Sequence, residues 1–143
     1  MFKSKRDMAF YSVLTGAFLF GASLQMAPDP LTITESNTYP DQEIYIVKAG
    51  DTITFYRDVT INKDLKVDTT RLLTQDGSSP KAPAGTSYSM PVGDYPDTAF
   101  QFRIPDDLGL VGEWTYRPSL TYRVNPLLTI TKQAPGFKFE VIE

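Results

Sequence analysis

The 143-residue chain contains neither cysteine nor histidine, and its 17 acidic residues outnumber its 14 basic ones. Those absences exclude disulfide support, thiol chemistry, Cys/His zinc sites and blue-copper sites, and they remove the commonest general base. Setting aside Lys3, Lys5, Arg6 and Asp7 leaves 11 basic and 16 acidic residues, a net charge of −5 that argues against nucleic-acid binding.

The stretch Met8 to Ala27, MAFYSVLTGAFLFGASLQMA, carries no charge. About 20 apolar residues in a helix span the ~30 Å hydrocarbon core, and a lone span must be helical so that its backbone groups pair internally. Lys3, Lys5 and Arg6 stand immediately before it and favour a cytoplasmic N-terminus. The sequence therefore divides into a basic tail (1–7), a transmembrane signal anchor (8–27) and an exported domain (28–143), placed at the inner membrane with the domain outside the cytoplasm. The rival reading is a cleaved signal peptide, with Gly21 and Ser23 supplying a small-residue site before Leu24. Ser12/Gly16 and Ala17/Gly21 are small residues four apart, which offers a face for self-association of the span and hence a homo-oligomer.

Pro28-Asp29-Pro30 ends the helix, because proline cannot continue it and biases its predecessor towards extended geometry. Alternating polarity then predicts strands at Leu31–Thr34, Glu43–Val47 and Thr52–Val59, with a turn at Tyr39–Gln42. Asn62, Lys63 and Asp64 predict another turn, followed by a Thr- and Val-rich strand over Val67–Thr74. Gln75–Gly85, QDGSSPKAPAG, reads as a loop, and Ser87–Val92 as an edge strand that tolerates Pro91. Gly93–Asp97 reads as a turn. Further strands follow around Phe100–Ile104, Gly112–Arg117, Leu120–Val124, Leu128–Ile130 and Phe137–Val141. Short strands at this spacing, with no helical period after Pro30, predict an all-β fold, a sandwich or barrel. DDLGLVGEWTYRPSLTYRV (Asp106–Val124) looks like the strand region near the end of an immunoglobulin-like sandwich, and that resemblance implies an immunoglobulin-like antiparallel sandwich behind one N-terminal transmembrane helix. Its expected core includes Phe55, Phe100, Phe102, Trp114, Tyr116, Tyr122 and Phe139, where the aromatic residues contribute the most buried area.

Trp114 reads as a core residue rather than a ligand-stacking one. Arg57, Arg71, Arg103, Arg117 and Arg123 fall on or beside strands, mostly outward, and form a candidate surface for an acidic partner. Cross-strand pairing with Asp58, Asp68 or Glu113, at about 0.2–1 kcal/mol a pair, is the simpler alternative. Asp94, Asp97, Asp106 and Asp107 could ligate Ca²⁺, but they lack EF-hand spacing and suit turns. Ser78, Ser79, Ser87 and Ser89 have no histidine to activate them, and neither G-x-S-x-G nor a phosphate-cradling loop occurs. The expectation is a non-enzyme without cofactor or metal.

FYRDVTINKD (Phe55–Asp64), Arg71, MPVGDYP (Met90–Pro96) and GEWTYRPSLTYRVNPL (Gly112–Leu127), behind a basic N-terminus and one span, are together similar to small single-pass membrane proteins encoded by bacteriophages. The resemblance implies a role at the host envelope, such as lysis control or exclusion of a second infection, exercised through contact with lipid and with an envelope or phage protein. A structural subunit of a virion or envelope assembly is the alternative from a different class.

Overall fold

A computed structural model describes residues 27–106 and 111–143. The proposed tail and span, with Lys3, Lys5 and Arg6, lie outside the described residues except for Ala27, as does Asp107. Among the described residues there is no helix long and apolar enough to cross a membrane.

Among the described residues nine strands form two sheets: β1 (Leu31–Glu35), β2 (Tyr45–Lys48), β3 (Thr52–Ile61), β4 (Leu65–Thr74), β5 (Thr86–Met90), β6 (Gly93–Arg103), β7 (Gly112–Asn125), β8 (Leu128–Gln133) and β9 (Phe137–Ile142). The smaller sheet has the order β1-β3-β6. The larger runs β2-β9-β7-β4-β5, with β8 also paired to β7. Every pairing is antiparallel except β2 with β9.

Period-two alternation of β-branched and aromatic residues explains the long strands. Along β3, Ile53, Phe55, Arg57, Val59 and Ile61 are buried. Along β7, Trp114, Tyr116, Leu120, Tyr122 and Val124 are buried, with Pro118 between them. The inward faces meet in two clusters. One contains Ile53, Phe55, Leu73, Phe102, Trp114, Tyr116, Phe137 and Phe139, whose rings stack closely; Tyr116 lies 4.7 Å from both Phe102 and Phe137. The other contains Leu31, Val59, Ile61, Leu65, Val67, Leu120, Tyr122 and Val124, near the point where the chain enters at Ala27. Phe100 is half-buried and packs against both clusters.

Two expectations about elements are corrected. Gly112–Arg117 and Leu120–Val124 are one strand, β7, running straight through Pro118. In an antiparallel strand a residue's N–H and C=O point to the same edge. The Pro118 carbonyl accepts the Ala134 amide at 3.0 Å, so the N–H that proline lacks faces the interruption between β8 and β9, where the ladder is already broken. Gly93–Asp97 is the first half of β6 rather than a turn. The register passes from Arg57↔Thr98 to Val59↔Tyr95, so Pro96 and Asp97 bulge opposite Asp58. Asp97 takes a positive φ of 51°, held by its amide donating to Asp58 Oδ1 at 2.9 Å and by the Ser36 hydroxyl on its carboxylate.

Gly136, in the break between β8 and β9, lies against the Tyr116 backbone; a Cβ there would stand 2.0 Å from the Tyr116 carbonyl oxygen. Backbone would have to move to admit it. Gly136→Ala is therefore expected to destabilise the fold by about 1–3 kcal/mol, read as a lower urea midpoint with an unchanged slope.

Candidate functional site

The five arginines of the sequence reading do not share one surface. Arg103 is exposed at the end of β6 and pairs with Asp106 at 2.8 Å. Arg117 and Arg123 are exposed on the outer face of β7 in the other sheet, Arg117 Nε donating to Thr74 Oγ1 at 3.2 Å. Arg71 is half-buried on the inward side of β4, and Arg57 is only 1% exposed. The proposed common docking face is thus corrected. Alternation along β3 turns Arg57 into the interior, and the ion pairs found go to Asp41 and Asp106 rather than to Asp58, Asp68 or Glu113.

Arg57 is a structural clamp. Its Nη1 and Nη2 donate to the two carboxylate oxygens of Asp41 at 2.9 and 3.0 Å, a bidentate pair. The same guanidinium donates to the carbonyls of Tyr56 at 2.8 Å and Pro135 at 3.1 Å, and lies 4.9 Å from the Phe55 ring centre. It therefore ties β3 of one sheet to the β1–β2 crossover and to the β8–β9 break of the other. The Tyr45 hydroxyl reaches Asp41 at 3.4 Å, and burial raises that phenol's pKa.

A second polar node secures the start of the domain. Asp29 accepts hydrogen bonds from the Leu31 amide at 3.0 Å, from Lys132 Nζ at 2.8 Å and from the Tyr122 hydroxyl. Burial pushes the Asp29 carboxyl up, but those three hydrogen bonds and the Lys132 charge together hold its pKa below the ordinary 3.8. Tyr122 moves the other way, raised first by burial and then by its bond to Asp29. A depressed carboxyl stabilises the fold above its unfolded pKa and loses that contribution as pH falls through the folded value. A raised phenol contributes below its unfolded pKa and loses it as pH rises through the folded one. Asp29→Asn is accordingly expected to flatten the acid limb of the stability–pH profile below about pH 4, as followed by urea midpoints across that range.

Between the clamp and the node the two sheets enclose a cavity of about 50 Å³, bordered by Arg57, Arg71, Tyr88, Phe100 and Tyr116. Beside it lies a groove of about 450 Å³ between β5 and β6, each the edge strand of its sheet, where the Tyr88 and Phe100 rings meet edge-on at 6.0 Å. Arg71 borders both the cavity and the groove. Its guanidinium is 5.6 Å from the Phe102 ring centre, Nη2 is 3.5 Å from Thr86 Oγ1, and its buried Nε has no hydrogen-bond partner among the described residues. Among the described residues no carboxylate forms an ion pair with it.

The remaining candidates are dispersed. Asp94 and Asp97 lie in the first half of β6, while Asp106 lies beyond its other end, bound to Arg103. Among the described residues no three acidic side chains converge on a metal position. Ser87 donates to Asp68 at 2.6 Å and Ser78 to Gln75 at 2.9 Å. Trp114 is 3% exposed within the aromatic cluster.

Asp41 and Asp29 escaped the sequence reading because both look like turn residues beside prolines; nothing local ties either to a cation 16 or 103 positions away. The inward parity of Arg57 with Ile53 and Phe55, and of Arg71 with Val67 and Leu73, was a usable signal. Neither a protein-family model nor a curated protein matches the chain.

Proposed function

We propose that this chain is a non-catalytic binding protein of the bacterial envelope, phage-encoded, anchored by residues 8–27 and carrying an immunoglobulin-like sandwich outside the cytoplasm. Lysis control or exclusion of a second infection is the role that fits this plan. The observation that carries the reading is the way the first two strands divide between the sheets: β1 lies antiparallel to β3 in one, and β2 lies parallel to the last strand, β9, in the other. With the orders β1-β3-β6 and β2-β9-β7-β4-β5, this supports an immunoglobulin-like Greek key, an architecture that presents edges and loops for contact.

The polar interior supports binding rather than chemistry. The two Nη atoms of Arg57 are taken up by Asp41 and by backbone carbonyls, and Asp29 is held by Lys132 and Tyr122. The same Asp29 node fastens the chain two residues after Ala27, so a span ending there would hold the domain against the bilayer without a loose linker. The second reading, a subunit of a virion or envelope assembly, draws on the outer edge of β6, which no strand among the described residues pairs with.

The test is to cross-link the tagged full chain in its native cells, purify it from solubilised membranes and identify by mass spectrometry what accompanies it. Retention of the peptide covering residues 1–27, with one envelope protein in excess, is the expected result. Many copies of the chain with capsid or tail proteins would establish the structural subunit instead. An N-terminus at Leu24 with no partner would overturn both.

A further inference from the structure

Edge strands expose unpaired N–H and C=O groups, and proteins guard them with prolines, bulges and charges. In β6 that protection is uneven. Pro96 and the bulged Asp97, at positive φ, spoil the first half for pairing. From Thr98 to Arg103, TAFQFR, the strand is regular and contains no proline. It pairs with β3 on one side, and no strand among the described residues pairs with its other side. Across the groove stands β5, the opposite sheet's edge. The groove is lined by Arg71, Thr86, Tyr88, Met90, Thr98 and Phe100, so it is mainly apolar around a single cation.

That cation is the unusual feature. Arg57 and Arg103 each have a carboxylate partner, whereas among the described residues Arg71 has none, only an aromatic ring and one long contact to a hydroxyl; its buried Nε, like that of Arg57, has no hydrogen-bond partner there. A half-buried guanidinium with spare donors favours a planar anion that accepts two hydrogen bonds at once. An extended segment added to an open edge gains main-chain hydrogen bonds for affinity, and alternate side chains entering pockets set specificity.

We propose that the seam between β5 and β6 binds an extended acidic segment of a partner protein, which adds as a fourth strand along Thr98–Arg103 and places a carboxylate on Arg71. This rests on the reading of the chain as a binding module and specifies where and what it binds. Main-chain pairing to β6 supplies the register. The Arg71 guanidinium selects aspartate or glutamate at the position facing the groove, and Tyr88 and Phe100 cover the stem of that side chain.

The experiment introduces a photo-reactive residue at Gln101, exposed on β6, or at Thr131, exposed on the outer face of the other sheet, in the full chain expressed in its native cells. The expected result is an adduct at Gln101 and not at Thr131, whose cross-linked peptide contains aspartate or glutamate. A synthetic peptide of that segment should bind the purified full chain and lose at least ~10-fold in affinity when the acid is replaced by its amide, or when Arg71 is replaced by glutamine. Because Arg71→Gln could disturb the interior, Ala99→Asp serves as a second variant. It lies at an exposed position on the same edge and should weaken binding by charge repulsion without affecting the urea midpoint.

An adduct at Gln101 whose affinity ignores both substitutions overturns the proposal, as does an adduct to a segment without a carboxylate or to a second copy of this chain. Adducts at Thr131 alone remove the seam but leave the binding module intact. No adduct at either position, with no partner recovered from membranes, removes both.

Discussion

Arg57→Ala is expected to destabilise the protein by about 3–5 kcal/mol, a large fraction of the 5–15 kcal/mol typical of a single domain. The cost comes less from the attraction lost than from what remains. Asp41 would keep a largely buried carboxylate without its bidentate partner, and the Pro135 carbonyl would lose its donor from Arg57. Arg57→Lys should recover only part of this, since an ammonium lacks the planar fork that spans both Asp41 oxygens. The double replacement Arg57→Met with Asp41→Leu is the informative control. Removing both charges of a buried pair and filling the space with apolar groups is often close to neutral, so the double variant should be markedly more stable than Arg57→Ala. Urea denaturation of the four proteins under one set of conditions decides it. Equal losses in Arg57→Ala and the double variant would mean that the contacts to backbone, rather than the stranded Asp41 charge, carry the effect.

Phe102→Ala should cost about 3–5 kcal/mol through a different mechanism. Phe102 is fully buried, with Tyr116 at 4.7 Å and Phe139 at 6.0 Å between ring centres, so truncation removes apolar burial and leaves a void among rings held by two sheets. These rings sit on strands fixed by backbone ladders, and the void has little freedom to collapse. Phe102→Leu should lose considerably less, roughly 1–2 kcal/mol, because most of the volume stays. The same residue lies under the Arg71 guanidinium. Phe102→Leu should therefore weaken capture of an acidic segment in the seam at a modest stability cost. A comparison of urea midpoint with peptide affinity separates the two effects. If Phe102→Ala cost below 1 kcal/mol, the aromatic cluster would not be the rigid centre described above.

Much of the fold was legible because burial on one face of a strand imposes a period of two. Ile53, Phe55 and Val59 mark one side of β3, and Trp114 and Tyr116 mark one side of β7, whatever the rest of the chain does. The Gln75–Gly85 loop and the Asn62–Asp64 turn were equally readable, since their glycines, prolines and small polar residues disfavour a ladder locally. Pro118 misled for the same local reason. Proline breaks a strand unless its missing donor meets a gap, and the gap belongs to β8 and β9, which follow it in the chain. Gly93–Asp97 misled because a bulge and a turn draw on the same residues, and only pairing with β3 distinguishes them.

The arginines divide along the same line. Parity within each strand, a property of the sequence, assigns Arg57 and Arg71 to the interior and Arg103, Arg117 and Arg123 to the outside. The sequence by itself thus determined the β character of the described residues, the facing of most of their side chains and the apolar, basic-flanked stretch at the N-terminus. Only the tertiary structure decided that Arg57 meets Asp41, that Asp29 meets Lys132 and Tyr122, and that Arg71 borders the groove between β5 and β6 with no acid paired to it among the described residues. Alternation is a local consequence of pleated geometry, whereas the partner of a buried charge depends on which distant strands become neighbours across two sheets.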